Sequence, residues 1–145
     1  MKAAGAPVAP GFDHIAIACV DVESQRRWYE EALGFEVRAR KAPSRPEAVV
    51  TTYLVAIAGG GPALELMPDD RGAQTGRKPF TPGLSHIAFR VPDFAAWEAR
   101  LTRLGVRWLG EAVEAGEVVG GGRLRSFLDP EGNMLQIVER AAAAT

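Results

Sequence analysis

The sequence predicts an α+β fold in which two tandem βαβββ modules form a cupped mixed β-sheet. Three observations point there. The stretch "GFDHIAIACVD" (11–21) returns, little changed, as "GLSHIAFRVPD" (83–93), with the chain's two histidines, His14 and His86, at the same point in each copy. Each copy then runs into a helix-period apolar stripe closed by a glycine, and each half ends on a short apolar strand, "LELM" (64–67) and "LQIV" (135–138). Between the halves lies "PDDRGAQTGRKPFTP" (68–82), whose proline, glycine and charge read as a linker. The expected division is an N-terminal tail over 1–10, a first module over 11–67, the linker over 68–82, a second module over 83–139 and a C-terminal tail over 140–145.

Residues 12–20 alternate and carry enough β-branched side chains for a strand. Asp21 is placed to cap the helix that follows, with Glu23 in its first turn, where the helix dipole favours a carboxylate. Val22, Trp28, Tyr29, Ala32 and Leu33 make the apolar stripe, and Gly34 suits the position just past the helix end. Strands are expected over 35–40, 48–57 and 63–67. In the second copy Asp93 caps a helix bearing Phe94, Trp97, Leu101 and Leu104, closed by Gly105. Strands over 106–109, 122–128 and 134–139 follow. Turns fall at "GGGP" (59–62) and "DPEGN" (129–133). The glycine runs at 59–61 and 120–122 lack the strand–loop–helix setting of a phosphate loop and read as hairpin turns.

A chain of 145 residues is long enough to bury a core without a disulfide or a structural metal. Its net charge of −1 gives no basic field for nucleic acid and no polybasic patch for a membrane. The single cysteine, Cys19, excludes an internal disulfide and fits a reducing compartment. "MKAAGAPVAP" reads as a loose tail and not as a signal peptide, and no run approaches the roughly 20 apolar residues of a membrane helix. A cytoplasmic protein with a small-molecule substrate, and no nucleic-acid or membrane partner, is the expectation.

Strand parity sorts the polar groups. His14, Ala16 and Ala18 share one face, and Ile15, Ile17 and Cys19 the other, so Cys19 reads as a small buried hydrophobe. His86, Ala88 and Arg90 share a face in the same way. Leu64 and Leu66 packing inward leave Glu65 on the opposite face; Leu135 and Ile137 do the same for Gln136. Glu139 has the parity of Leu135 and Ile137 and is rejected as a ligand. Four polar side chains, His14, Glu65, His86 and Gln136, therefore point away from the helices. Two imidazoles with one or two oxygen donors suit a divalent transition metal. The alternative is that each histidine only begins a strand and bonds locally.

Paired βαβββ modules with "DHIAI", "WYEEALGF", "HIAFRV" and "FLDPEGNMLQIVE" resemble the vicinal oxygen chelate superfamily over residues 11–139. That superfamily includes glyoxalase I, methylmalonyl-CoA epimerase, extradiol dioxygenases, fosfomycin-resistance enzymes and bleomycin-binding proteins. The resemblance implies a metal (Zn, Ni, Mn or Fe) held by His14, Glu65, His86 and Gln136, from the first and last strands of each module. It departs from the usual pattern at Gln136, where a glutamate would stand. A divalent ion with two neutral histidines, one glutamate and one glutamine leaves the site formally +1, which favours an anionic bidentate substrate.

The resemblance supports three functions. The first is a metal-dependent lyase or isomerase of the glyoxalase type, in which two substrate oxygens chelate the ion, an enolate-type intermediate is stabilised and Glu65 moves the proton. The second is an extradiol-type dioxygenase using His14, His86 and Glu65; Tyr53 is the only strand tyrosine to stand beside its substrate. The third is a non-catalytic antibiotic-binding module. Arg90 could pair with a substrate carboxylate or phosphate. The faces taken by Arg123 and Arg125 are not fixed by pattern, and Trp28, Trp97 and Trp108 read as core or interface aromatics. Relatives commonly dimerise, so a homodimer is expected, with the donor set formed within one chain or shared between two.

Overall fold

In the computed structural model, which describes residues 7, 8, 10–42, 52–57, 61–68, 83–114 and 121–140, two aspartates set the helix starts. Asp21, in extended backbone, accepts the Ser24 N–H at 2.9 Å and begins α1 (Val22–Leu33). Asp93 accepts the Ala96 N–H at 3.0 Å and begins α2 (Phe94–Arg103). Gly34, at φ 70°, returns its N–H to the Glu30 carbonyl and ends α1. At the end of α2, Gly105 (φ 74°) donates to Thr102 and Val106 to Leu101, the paired bonds of a Schellman closure.

The strands form one sheet per repeat. β1 (His14–Cys19), β2 (Phe35–Lys41), β3 (Thr52–Ile57) and β4 (Ala63–Pro68) lie in the order β1-β4-β3-β2, with β1 parallel to β4 and the other pairs antiparallel. β5 (His86–Arg90), β6 (Arg107–Trp108), β7 (Val113–Glu114), β8 (Arg123–Leu128) and β9 (Met134–Glu139) repeat that plan as β5-β9-β8-β6, with β7 pairing β8. The α+β class and the repeated mixed topology agree with the sequence reading. The two-residue β7 is an addition that no apolar alternation announced. The expected tail 1–10, the strand portion 48–51, the linker 68–82 and the tail 140–145 lie wholly or largely outside the described residues, as do residues 59–60 of the expected turn and Gly120.

Both sheets turn their helix-side faces into one shared core. Ile17, Cys19, Tyr53, Val55, Leu64 and Leu66 join Phe127, Leu135 and Ile137 around Tyr29, Phe94 and Leu101. Fully burying one such large apolar side chain contributes roughly 1.5–3 kcal/mol. Rings bridge the halves: Trp28 lies 6.4 Å from Phe127, and Phe35 lies 5.5 Å edge-on to Phe89. Arg100 of α2 donates to the Ala32 and Glu31 carbonyls at the end of α1, tying the helices together. Cys19 is 1% exposed, as expected of a small hydrophobe. Leu104 departs from the expected stripe. It occupies the α2 C-cap, past the last full turn, and is 41% exposed.

Candidate functional site

The candidate donors stand on the face of each sheet opposite its core side. In the parallel register of β1 and β4, Ala16 lies opposite Glu65, with His14 two residues earlier. In β5 and β9, Ala88 lies opposite Gln136, with His86 two residues earlier. The repeat is therefore a repeat of register. It brings His14 and Glu65 together, with Nε2 of the imidazole 3.2 Å from Oε2 of the carboxylate and both side chains about a third exposed. Arg90 follows on the His86 face and is exposed.

The outer ring nitrogen of each histidine is occupied by the residue before it. His14 Nδ1 lies 2.6 Å from the Asp13 carboxylate, and His86 Nδ1 lies 2.9 Å from the Ser85 hydroxyl. The bond to Asp13 raises the His14 pKa above its ordinary value; the Asp13 and Glu65 charges add to this while burial opposes it. In His14 that leaves Nε2 facing Glu65 on the last strand of its module, and in His86 it leaves Nε2 as the nitrogen not engaged by Ser85. Gln136 donates its amide N–H to Ser126 Oγ at 3.1 Å, which leaves the amide oxygen as the atom available to a cation. Imidazole Nε2 atoms with Nδ1 already engaged, a carboxylate and an amide oxygen are a donor set that fits a divalent transition metal.

The two pairs stand on separate sheets, His14 and Glu65 on one and His86 and Gln136 on the other. Among the described residues no group of three or more His, Cys, Asp or Glu is arranged to hold a metal ion. Four other side chains are settled by the structure. Glu139 accepts the Phe94 N–H at 2.8 Å and pairs with Arg123, so it serves the start of α2. Arg123 and Arg125 take the helix side, over the Phe94 and Trp108 rings, and Arg125 pairs with Glu98 of α2. Tyr53 belongs to the core face, where its hydroxyl donates to Glu23 of α1.

Sequence reasoning missed a buried polar cluster. Asp129, 4% exposed, accepts from Gln25 Nε2 (3.0 Å), the Tyr29 hydroxyl (2.8 Å), the Glu131 and Asn133 N–H groups and Asn133 Nδ2. Glu131 accepts the Val20 and Asp21 N–H groups at 2.7 and 2.9 Å. The "DPEGN" turn thus also clips the second module to the start and flank of α1. Burial, reinforced by Asp129, pushes the Tyr29 pKa well above its ordinary value, which keeps the hydroxyl a donor. The available signal was Gln25 itself, standing within the stripe Val22, Tyr29, Ala32, Leu33. A cleft of about 380 Å³ adjoins this cluster, lined by Trp28, Val106, Arg107, Leu128 and Asp129 among others.

The family model described as "Glyoxalase/Bleomycin resistance protein/Dioxygenase superfamily" matches residues 11–137. Solved structures share the fold. A glyoxalase family protein from Enterococcus faecalis is 27% identical, with 89% of this chain and 97% of that one covered at a TM-score of 0.67. A glyoxylase/bleomycin resistance protein/dioxygenase domain from Frankia sp. EAN1pec is 20% identical, with 96% of each chain covered at a TM-score of 0.71. TnmS3, an antibiotic binding protein from Streptomyces sp. CB03234, is 22% identical, with 94% of this chain and 100% of that one covered at a TM-score of 0.68. No curated protein matches the chain.

Proposed function

The chain belongs to the glyoxalase/bleomycin resistance protein/dioxygenase superfamily, and we propose that within it this protein is a divalent-metal-dependent enzyme of the lyase or isomerase type. His14 and Glu65 of one copy, with His86 and Gln136 of a second copy, would hold the ion. The approach of His14 Nε2 to Glu65 Oε2 carries this reading: two groups able to ligate one cation converge at 3.2 Å on an open sheet face. Sharing between copies is part of this reading: among the described residues no group of three or more His, Cys, Asp or Glu is arranged to hold an ion, and a second copy would bring the remaining donors. The His14 face brings Asp13 and Glu65, the His86 face brings Arg90, and that difference in charge favours pairing unlike faces. Phe12 and Leu84, each two residues before a histidine and 67% and 72% exposed, supply apolar area beside both faces.

When bound, the ion would act as a Lewis acid towards two neighbouring substrate oxygens. The chain's own residues do the rest. Glu65 is the sole carboxylate of the quartet, so its Oε2 is the atom that would take a proton from substrate carbon and return it. Gln136 cannot accept a proton, so proton movement falls to one side of the substrate. Arg90 would pair with a carboxylate or phosphate on the substrate, orienting it towards Glu65. Tyr53, held by Glu23 on the core side, is not offered to substrate, which favours this reading over ring cleavage by a dioxygenase.

Metal analysis of the full chain purified without chelators tests the proposal. About one Zn, Ni, Mn or Fe ion per quartet is expected, with loss of the ion in His14→Ala and His86→Ala. Protein that stays metal-free after added ions are offered would instead favour a binding role such as that named for TnmS3.

A further inference from the structure

We propose that Asp13 is a positioning residue of the metal centre, fixing His14 Nε2 as the ligating atom and restoring the negative charge that Gln136 withholds. The inference rests on the metal reading above. A ligating imidazole needs its other nitrogen held as a donor, and a carboxylate does this while raising the basicity of the ligating nitrogen. Asp13 stands 2.6 Å from Nδ1 on the next residue of the chain, so the bond needs no distant element to form it. At the repeat-equivalent position Ser85 meets His86 Nδ1 at 2.9 Å. Serine orients the ring but adds no charge.

The two halves of the donor set are thus alike in geometry and unlike in charge. The first contributes two carboxylates, Asp13 and Glu65. The second contributes none, having Ser85 and Gln136 in the matching places. A divalent ion with Glu65 alone leaves the quartet formally +1; including Asp13 brings it to zero. The Asp13 side chain is 91% exposed in the single chain, where water screens it. Covering that face with a second copy removes the screening and strengthens its pull on the ion. The cation is accordingly held chiefly by the first half, and the second half offers its neutral donors and Arg90 to the substrate side.

Cobalt(II) binding to the full-length metal-free protein, followed by its visible absorption and by calorimetry, tests this. Asp13→Asn keeps a hydrogen-bond acceptor beside Nδ1 and removes the charge, so it is expected to weaken cobalt binding about 10–100-fold and to shift the absorption band. Asp13→Glu should recover part of the affinity, and Ser85→Ala should cost less than Asp13→Asn. The exposed positions of Asp13 and Ser85 leave the metal-free Tm unchanged in all of them. Wild-type cobalt binding matched by Asp13→Asn overturns the assignment alone. A wild-type chain that takes up no cobalt overturns the metal centre and this assignment together.

Discussion

The Tyr29 hydroxyl donates to the Asp129 carboxylate at 2.8 Å, joining residues 100 apart in sequence and in different repeats. The bond lies in the interior, beside the Gln25 amide that donates to the same oxygen. It explains how a short turn can tie the second module to the first helix.

Tyr29→Phe should therefore lower stability without altering the fold. A hydrogen bond to a charged group is worth about 1.5–3 kcal/mol. Thermal or urea unfolding should show a loss in that range. Asp129→Ala should cost more, because it leaves the buried Gln25 and Tyr29 donors without their acceptor. Equal stabilities for wild type and Tyr29→Phe would show that the bond does not hold the modules.

The Glu23–Tyr53 bond predicts a pH dependence. Donation from Tyr53, helped by Arg26 and opposed by burial, holds the Glu23 carboxyl below its ordinary value of 4.5. The unfolded chain then binds a proton at higher pH than the folded one. Stability from this pair is complete above 4.5 and is lost as pH falls through the lower folded value. Tm measured from neutral pH downwards should show wild type above Tyr53→Phe, with the gap closing below pH 4.5. A gap that stays constant with pH would rule out the linkage.

Legibility followed the range of the interactions. Asp21 and Asp93 act on N–H groups three residues away, and Gly34 and Gly105 on their own backbone, so local pattern located both helices. Parity placed Glu65 and Gln136 on the histidine faces, because a strand's alternation is set within the strand. The role of Gln25 was hidden, since its partner lies 104 residues on and an isolated polar residue in an apolar stripe names no acceptor. Glu131 was read as part of a turn because nothing in "DPEGN" points back to Val20 and Asp21. The faces of Arg123 and Arg125 depend on α2 being near enough to supply Glu98 and the Phe94 ring.

Gln136→Glu probes the charge of the proposed centre. Its amide already projects from β9 in the register that Glu65 has on β4, so a carboxylate would occupy the same place. Adding a negative charge takes the ion with its four ligands, Asp13 aside, from formally +1 to neutral. A unit pair at about 4 Å is worth roughly 4 kcal/mol at an effective dielectric of 20, so affinity for a divalent ion should rise at least about tenfold after the cost of desolvation. Calorimetry with nickel or zinc reads this directly. An unchanged affinity would place residue 136 outside the set of ligands.

Complementation between defective subunits separates a shared site from one within a chain. Let one chain carry His14→Ala and the other His86→Ala, purified together through two different tags. If each site takes His14 and Glu65 from one copy and His86 and Gln136 from the other, the mixed dimer has one site with both histidines missing and one with all four ligands intact. It should bind one divalent ion at wild-type affinity, while either variant alone binds none at that affinity. If instead all four ligands came from a single chain, each subunit of the mixed dimer would still lack a histidine and no strong site would return.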